Sequence, residues 1–198
     1  MRDYETTVKK LTEYARKHEK QSRFEHSLRV ADMCVMLCRH FGLDEQKGYI
    51  AGIGHDICKD IPKSKMIELA RKDGEPITDF ELGVPSVLHG RAAAVKMKKK
   101  FGIDDEEILE AVANHVSCKK GICDIGKVLF LADKTEPNRP QSTEEYRANL
   151  LKLSLDGMLY QVLVENYEYI KRKGYVVYPD TEKMIEYYST LKNKAGEK

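Results

Sequence analysis

The sequence predicts an all-α fold, organised as one domain over residues 1–198. Three observations predict it. Apolar residues recur at three- and four-residue spacing in nearly every segment, helix-capping signals precede those stretches, and alternation is confined to Tyr175 to Tyr178. The first helix covers about residues 4 to 19, with Val8, Leu11 and Ala15 on one side. The spacing of Ser22 and Glu25 predicts a capping box opening a second helix through Leu28, Val30, Met33, Leu37 and Phe41, which stops at Gly42. Asp44 is the expected N-cap of a third helix carrying Tyr49, Ile50, Ile53 and Ile57. A short helix follows Pro62, and another starts near Ser86. Asp104 is expected to cap a helix through Ile108, Leu109 and Val112. A Gly/Cys turn near 117 to 123 leads into an apolar helix from about Ile125 to Asp133. Residues 136 to 141 read as a long surface loop. Ser142 and Glu145 repeat the capping-box spacing and open one long helix through Leu151, Leu155, Leu159 and Val162, ended by Gly174. A last helix begins after Asp180, and 192 to 198 read as a frayed tail.

Composition narrows the function classes. The chain is 41% hydrophobic and 33% charged, which fits a soluble globular protein. Lys plus Arg number 34 against 32 Asp plus Glu, so the net charge of +2 gives no concentrated basic face for long nucleic acids. The basic run from Lys96 to Lys100 is followed by acidic Asp104 to Glu107 and reads as a solvated face. No stretch approaches the ~18 apolar residues of a spanning helix. Neither a membrane nor an export signal is expected. Five cysteines, odd in number and scattered through helical patterns, point to a reduced, cytoplasmic setting. Among them Cys34 and Cys38 read as core packing.

Four of the six histidines stand where polar groups do not belong. His18 and His40 lie at helix ends among charged residues and are expected to be solvated. His26, however, shares the stripe of Val30, Met33 and Leu37. His55 follows Ile53 and Gly54 and is joined to Asp56. His89 falls just inside a helix start, His115 lies on the side of Ile108 and Val112, and Asp133 follows Gly126 and Leu129. Unpartnered, each buried ionisable group would cost several kcal/mol, of order 2–7 for a polar group and more for a charge. A shared metal site removes that cost, because neutral imidazoles and carboxylates become ligands. Lys59 lies one helical turn beyond Asp56 and Arg23 one turn before His26, so both are candidates to hold a phosphate, as is Arg139 on its loop. Arg91, Lys119, Lys120 and Lys134 are weaker candidates of the same kind. Tyr160, Tyr167, Tyr169, Tyr175 and Tyr178 read as core or as a homodimer surface, with Tyr178 beside Pro179 a candidate to stack on a base. A separate reading takes His115, Cys118 and Cys123 as a structural zinc site, although the spacing lacks a second Cys/His pair.

These residues resemble the HD-domain phosphohydrolases: an early His, an HD doublet, two further histidines and a late Asp, all on helices. The likeness is closest to the branch of symmetrical diadenosine tetraphosphate hydrolases. It is carried by Arg23-Phe-Glu-His26-Ser-Leu-Arg-Val, Ala51-Gly-Ile-Gly-His55-Asp56-Ile-Cys-Lys59, Leu88-His89-Gly90, and Leu131-Ala-Asp133 continuing to Glu136-Pro-Asn-Arg139. Pro179-Asp-Thr181 resembles the family's nucleotide-contacting turn, so the likeness spans about 20 to 181. It implies an HD-type helical bundle with His26, His55, Asp56, His89, His115 and Asp133 as ligands of two metal ions, iron favoured and manganese or zinc compatible. One metal would take His26, His55, Asp56 and Asp133, the other His89, His115 and the second oxygen of Asp56. Between them a bridging hydroxide would cleave diadenosine tetraphosphate to two ADP. In that scheme Asp56 and Lys59 are catalytic, and Arg23, His26, Asp56, Lys59, His89, His115, Asp133, Arg139, Tyr178 and Pro179 contact the substrate. Two alternatives stand beside it: an HD hydrolase acting on a nucleoside monophosphate or cyclic dinucleotide, and a nucleotide sensor with a purely structural metal. The chain departs from the family at Val116 to Cys123, at Lys134-Thr135 and at Arg91-Ala92. These changes fall where phosphates or bases would sit and so bear on substrate choice.

Overall fold

The computed structural model describes residues 4–194, which form eleven α-helices and, among the described residues, no strand. Helix α1 (Tyr4–His18) buries Leu11 and Ala15. Helix α2 (Gln21–Phe41) is the long central helix. Its start differs from the expected capping box: Lys20 is the N-cap residue and supplies no side-chain cap, while Ser22 and Glu25 lie inside the helix. Glu25 accepts from Gln21 Nε2 at 2.8 Å instead of reaching the backbone. At the other end Gly42 adopts φ 69°, a left-handed conformation that suits glycine, and its N–H closes onto Arg39.

Asp44 caps α3 (Glu45–Gly54), as expected, by accepting from the N–H groups of Gln46 and Lys47. This helix packs against α2 with unusual closeness. A Cβ built on Gly52 would lie 2.5 Å from the Ala31 Cα, so the two backbones nearly touch. Helix α4 (Lys63–Ala70) follows Pro62. The sequence reading missed α5 (Asp79–Gly83), opened by a reciprocal capping box between Thr78 and Glu81. A 3-10 turn, Pro85–Leu88, then feeds α6 (His89–Lys96), which continues as a π-helical stretch to Phe101.

Asp105 rather than Asp104 caps α7 (Glu106–Asn114), because only its carboxylate reaches the N–H groups of Glu107 and Ile108. Helix α8 (Asp124–Thr135) is deeply buried, with nine of its twelve residues inside. The long helix expected beyond it is two helices, α9 (Glu144–Leu150) and α10 (Leu155–Arg172). Each has its own N-cap, Thr143 and Ser154, because Ser154 captures the Gly157 N–H and restarts the chain in a new direction. Gly174 follows with φ 68°. Tyr175 and Val176 are exposed and pair with no strand. Helix α11 (Thr181–Lys194) includes the start of the expected tail; 195–198 lie outside the described residues.

The buried apolar side chains form one continuous cluster. Helix α2 packs on α3 and α8, α7 on α3, α6 and α8, and α10 on α8 and α11. The ends of α3 and α7 and the inner faces of α2, α6 and α8 therefore meet at one place. No helix among the described residues is long and apolar enough to cross a membrane.

Candidate metal centre

At that meeting point five elements each deliver a group picked out by the sequence. His26 comes from α2, His55 and Asp56 from the turn ending α3, His89 from the first residue of α6, His115 from the end of α7, and Asp133 from α8. His55, Asp56, His89, His115 and Asp133 are buried and His26 is partly so. His18 and His40 are exposed, as expected.

Three imidazoles are aimed by one repeated device. Nδ1 of His55 donates to the Gly52 carbonyl at 2.6 Å, that of His89 to Ser86 at 2.6 Å, and that of His115 to Val112 at 2.8 Å. In every case the acceptor is three residues back along the chain. A carbonyl can only accept, so Nδ1 carries the proton and Nε2 keeps a lone pair. His26 is held by a side chain instead. Its Nδ1 meets Glu136 Oε1 at 3.1 Å, and Glu136 is itself fixed by Arg29 Nε at 2.7 Å and the Asn138 N–H at 2.8 Å. Glu136 is 2% exposed, so the stretch from 136 to 141 is not wholly a surface loop.

The Nε2 atoms converge. His89 and His115 face each other at 3.0 Å, and Asp56 Oδ1 lies 3.0 Å and 3.7 Å from them. The other Asp56 oxygen, Oδ2, is 3.8 Å from His55 Nε2, and His26 Nε2 is 3.0 Å from Asp133 Oδ1. Two donor triads result, His26–His55–Asp56 and Asp56–His89–His115, each with its donor atoms within 4.8 Å of one another. Lone pairs facing at such distances repel unless a cation lies among them. His55 Nε2 sharpens the point: it is buried and has no hydrogen-bond partner among the described residues. Mixed imidazole and carboxylate donors of this kind suit iron, manganese or zinc rather than calcium, and the residues present fit a metal.

The protonation states suit the same role. Burial pushes His55 down to about 4 and also lowers His89 and His115, so these rings are neutral near pH 7. Burial acts to raise Asp133, but the Lys134 ammonium beside it outweighs that, and this carboxyl stays well below the usual carboxylate range. Burial lowers Lys59, whose Nζ stands 3.0 Å from His89 Nε2, against the pull of Asp56 and Asp133.

A cleft of about 1230 Å³ opens over the cluster. Small-molecule sites typically enclose roughly 300–1,000 Å³, so this one has room for an extended ligand. His26, Asp56 and Asp133 lie at its base, with Arg23, Lys59, Lys134 and Arg139 around them. Arg23 Nη1 contacts Asp56 Oδ2 at 2.9 Å, and its Nε contacts Asp60 Oδ2 at 2.9 Å. Arg139 Nη2 reaches Asp133 Oδ1 at 2.7 Å and Lys134 Nζ reaches Oδ2 at 2.5 Å.

Other sequence candidates lie elsewhere. Neither Tyr178 nor Pro179 lines the cleft; the Tyr178 ring packs edge-on against Phe80 with centroids 5.0 Å apart. Arg91 spends its guanidinium on Asp73, Glu81 and the carbonyls of Glu75 and Pro76. Lys119 pairs with Glu110, and Lys120 sits over the Tyr187 ring at 4.9 Å. The zinc reading of His115, Cys118 and Cys123 has no geometric support among the described residues. Cys118 Sγ turns to the Lys119 carbonyl and Cys123 Sγ to that of Glu107, while His115 faces Asp56. Cys34 and Cys38 are buried, as expected. Sequence reasoning quoted Glu136 and Arg29 only as parts of motifs, without the role of holding His26, and missed the cleft wall made by α9 and α10.

The profile of the HD domain matches residues 23–138 of the chain. The chain is 29% identical over 172 residues to the symmetrical bis(5'-nucleosyl)-tetraphosphatase of Halalkalibacterium halodurans, covering 87% of this chain and 91% of that protein. It is 29% identical over 190 residues to the protein of the same name from Staphylococcus aureus, covering 92% and 94%. Among solved structures, a predicted HD superfamily hydrolase involved in NAD metabolism from Clostridium acetobutylicum superposes with a TM-score of 0.85 at 28% identity, covering 93% of this chain and 97% of that one. The doublet of His55 and Asp56, the three further histidines and Asp133 all lie within the matched span, and the chain belongs to the HD domain family.

Proposed function

We propose that the protein is a metal-dependent phosphohydrolase that cleaves a dinucleoside tetraphosphate at its central anhydride, giving two ADP from diadenosine tetraphosphate. The observation that carries this reading is the pair of donor triads sharing Asp56 at the base of a cleft edged by four cations. The names borne by the two relatives point to the same reaction. In this reading His26, His55, Asp56 and Asp133 would hold one metal, and His89, His115 and the second Asp56 oxygen the other. The resemblance favours iron, with manganese and zinc compatible with the same donors. When bound, such ions supply Lewis acidity that activates water and offsets the charge gathering on phosphorus.

The chain's own residues do the rest. Arg23 and Arg139 present planar guanidiniums to the phosphate oxygens. Lys59 has two tasks in sequence, binding a phosphate oxygen and then passing its proton to the departing one. Burial suits it to the second, because a lowered ammonium gives up its proton more readily. The balance is simple: one water adds across the central P–O–P link, its oxygen joins one phosphorus, and the other half leaves as a diphosphate. Protein purified without chelator should carry metal and release ADP as sole product from diadenosine tetraphosphate, read by ion-exchange chromatography. Unequal products, such as AMP with ATP, would sink the symmetrical cleavage. Cleavage of a nucleoside monophosphate or a cyclic dinucleotide in place of this substrate would move the site to another nucleotide.

Glu136 has a positioning role in this scheme, since it aims His26. Glu136→Ala is expected to weaken metal affinity by roughly 10- to 100-fold, the usual effect of removing a residue that orients a ligand. Competition with a chromophoric chelator measures this directly. Glu136→Gln, which keeps an acceptor oxygen, should recover part of the loss. Unchanged affinity in both variants would show that His26 is oriented without Glu136.

A further inference from the structure

Helix α6 carries a knot of ionic contacts outside both the metal centre and the cleft. Arg91 stands two residues after His89, and its side chain is only 14% exposed. Its Nε and Nη2 donate to the two oxygens of Asp73 at 2.7 and 2.9 Å. Nη1 donates to both Glu81 oxygens, at 3.1 and 3.2 Å, and to the Pro76 carbonyl at 3.1 Å. Nη2 also reaches the Glu75 carbonyl at 2.8 Å. Glu81 is buried and accepts in addition from the N–H and the hydroxyl of Thr78.

An ion pair taken out of water contributes little net stability, because desolvation offsets most of the attraction. What the pair fixes in place is the more informative question. The contact of Arg91 with Glu81 closes a loop over residues 81–91, and inside it lie the 3-10 turn Pro85–Leu88 and His89. Both halves of the tether that aims His89 are therefore within the closed loop, the Ser86 carbonyl and the Nδ1 that donates to it. The other two tethered rings are supported differently. Gly52 and Val112, which hold His55 and His115, belong to α3 and α7, so a regular helix fixes each acceptor. Ser86 is exposed and sits in a four-residue turn that follows a break in the helical backbone at Val84 (φ −129°, ψ 65°). Its carbonyl needs outside support. Helix α6 does not, because a Cβ on Gly90 would lie 2.7 Å from the Val112 carbonyl oxygen, which seats this helix hard against α7.

We infer that Arg91 is a positioning residue for the metal centre: through Glu81 and Asp73 it locks the turn whose Ser86 carbonyl aims His89. The role rests on the proposed metal centre and not on which nucleotide is cleaved. Its consequence is one-sided. Only the triad Asp56–His89–His115 contains His89, so a loosened turn loosens that triad and leaves His26–His55–Asp56 as it was. Arg91 is also a position at which the chain departs from its family, and since it does not line the cleft, that departure acts on the turn.

Two variants test this with zinc as the probe metal, a diamagnetic ion compatible with these donors. Arg91→Lys keeps the charge but cannot grip two carboxylates at once, and Glu81→Gln keeps an acceptor for Thr78 while giving up the charge pair. Chelator competition should show two zinc ions on the parent and, in each variant, one of them weakened by about tenfold with the other within about twofold. Proton NMR identifies the weakened site. The Nδ1 proton of His89 should exchange with solvent faster in both variants, while those of His55 and His115 keep the parent rate. A fold defect would instead disturb all three rings. Both ions weakened alike, or an unchanged His89 proton, would overturn the role of Arg91. A parent that takes up no zinc would count against the metal centre itself, and the His89 proton in the metal-free variants would still decide for or against Arg91. Neither readout depends on turnover, so failure to cleave diadenosine tetraphosphate bears on the reaction alone.

Discussion

Replacing Asp56 with Ala is expected to remove at least about 10³-fold of kcat/KM on diadenosine tetraphosphate, ~4 kcal/mol of transition-state stabilisation, and to lower the bound metal below that of the parent. The size of the effect follows from the position of the residue. Its two oxygens face different imidazoles, Oδ1 towards His89 and His115 and Oδ2 towards His55, so one truncation opens both donor triads. It also releases Arg23, whose Nη1 is anchored on Oδ2. Asp56→Asn preserves the volume but replaces one oxygen with a donor nitrogen that a metal will not accept. Elemental analysis beside the rate measurement separates the explanations. A variant that keeps its metal and its rate would remove Asp56 from the centre of the mechanism.

The second large effect is on stability. Gly52→Ala is expected to cost about 3 kcal/mol, lowering the melting temperature by roughly 6–12 °C in a chain of this size. The new Cβ would meet the Cα and N of Ala31 at 2.5 and 2.8 Å, and backbone cannot rotate aside. Helix α3 would have to move away from α2. Because the Gly52 carbonyl also holds His55 Nδ1, metal affinity should fall together with the melting temperature. Gly54, two residues on, provides the control. A Cβ there meets the ends of the Met97 and Leu11 side chains, which can shift, so Gly54→Ala should cost far less. Equal melting temperatures for the two variants, measured by circular dichroism, would show that the contact of α2 with α3 is not as tight as described.

The centre was legible in the sequence for a physical reason. Histidine and aspartate on the apolar side of helices are expensive unless something binds them, so His26, His115 and Asp133 stood out against Val30, Val112 and Leu129. The helix count was less legible. At 104–105 two aspartates compete for one cap, and only backbone direction decides that Asp105 wins. At 142–145 Thr143 took the capping role expected of Ser142, whose hydroxyl is turned to the Thr135 carbonyl. Ser154 inside an otherwise continuous apolar pattern gave little warning that α10 begins there. Glu136 was hidden by its neighbours. Set among Pro137, Asn138, Arg139 and Pro140 it reads as solvent-facing, and its partners His26 and Arg29 are more than a hundred residues away. Tyr169 reads as ordinary helix patterning until α10 is seen to wall the cleft.

The tether of each ring nitrogen to a carbonyl three residues back separates two things that often vary together. Such a tether belongs to a single stretch of chain, so the aim of His55, His89 or His115 survives changes in whatever packs across from it. Lys134 and the residues of α9 and α10 that line the cleft can then drift towards new ligands while the chemical core stays as it was. The fold is in this sense divided into a part that may diversify and a part that need not answer to it. A chain with an intact core can acquire a new appetite through its rim alone.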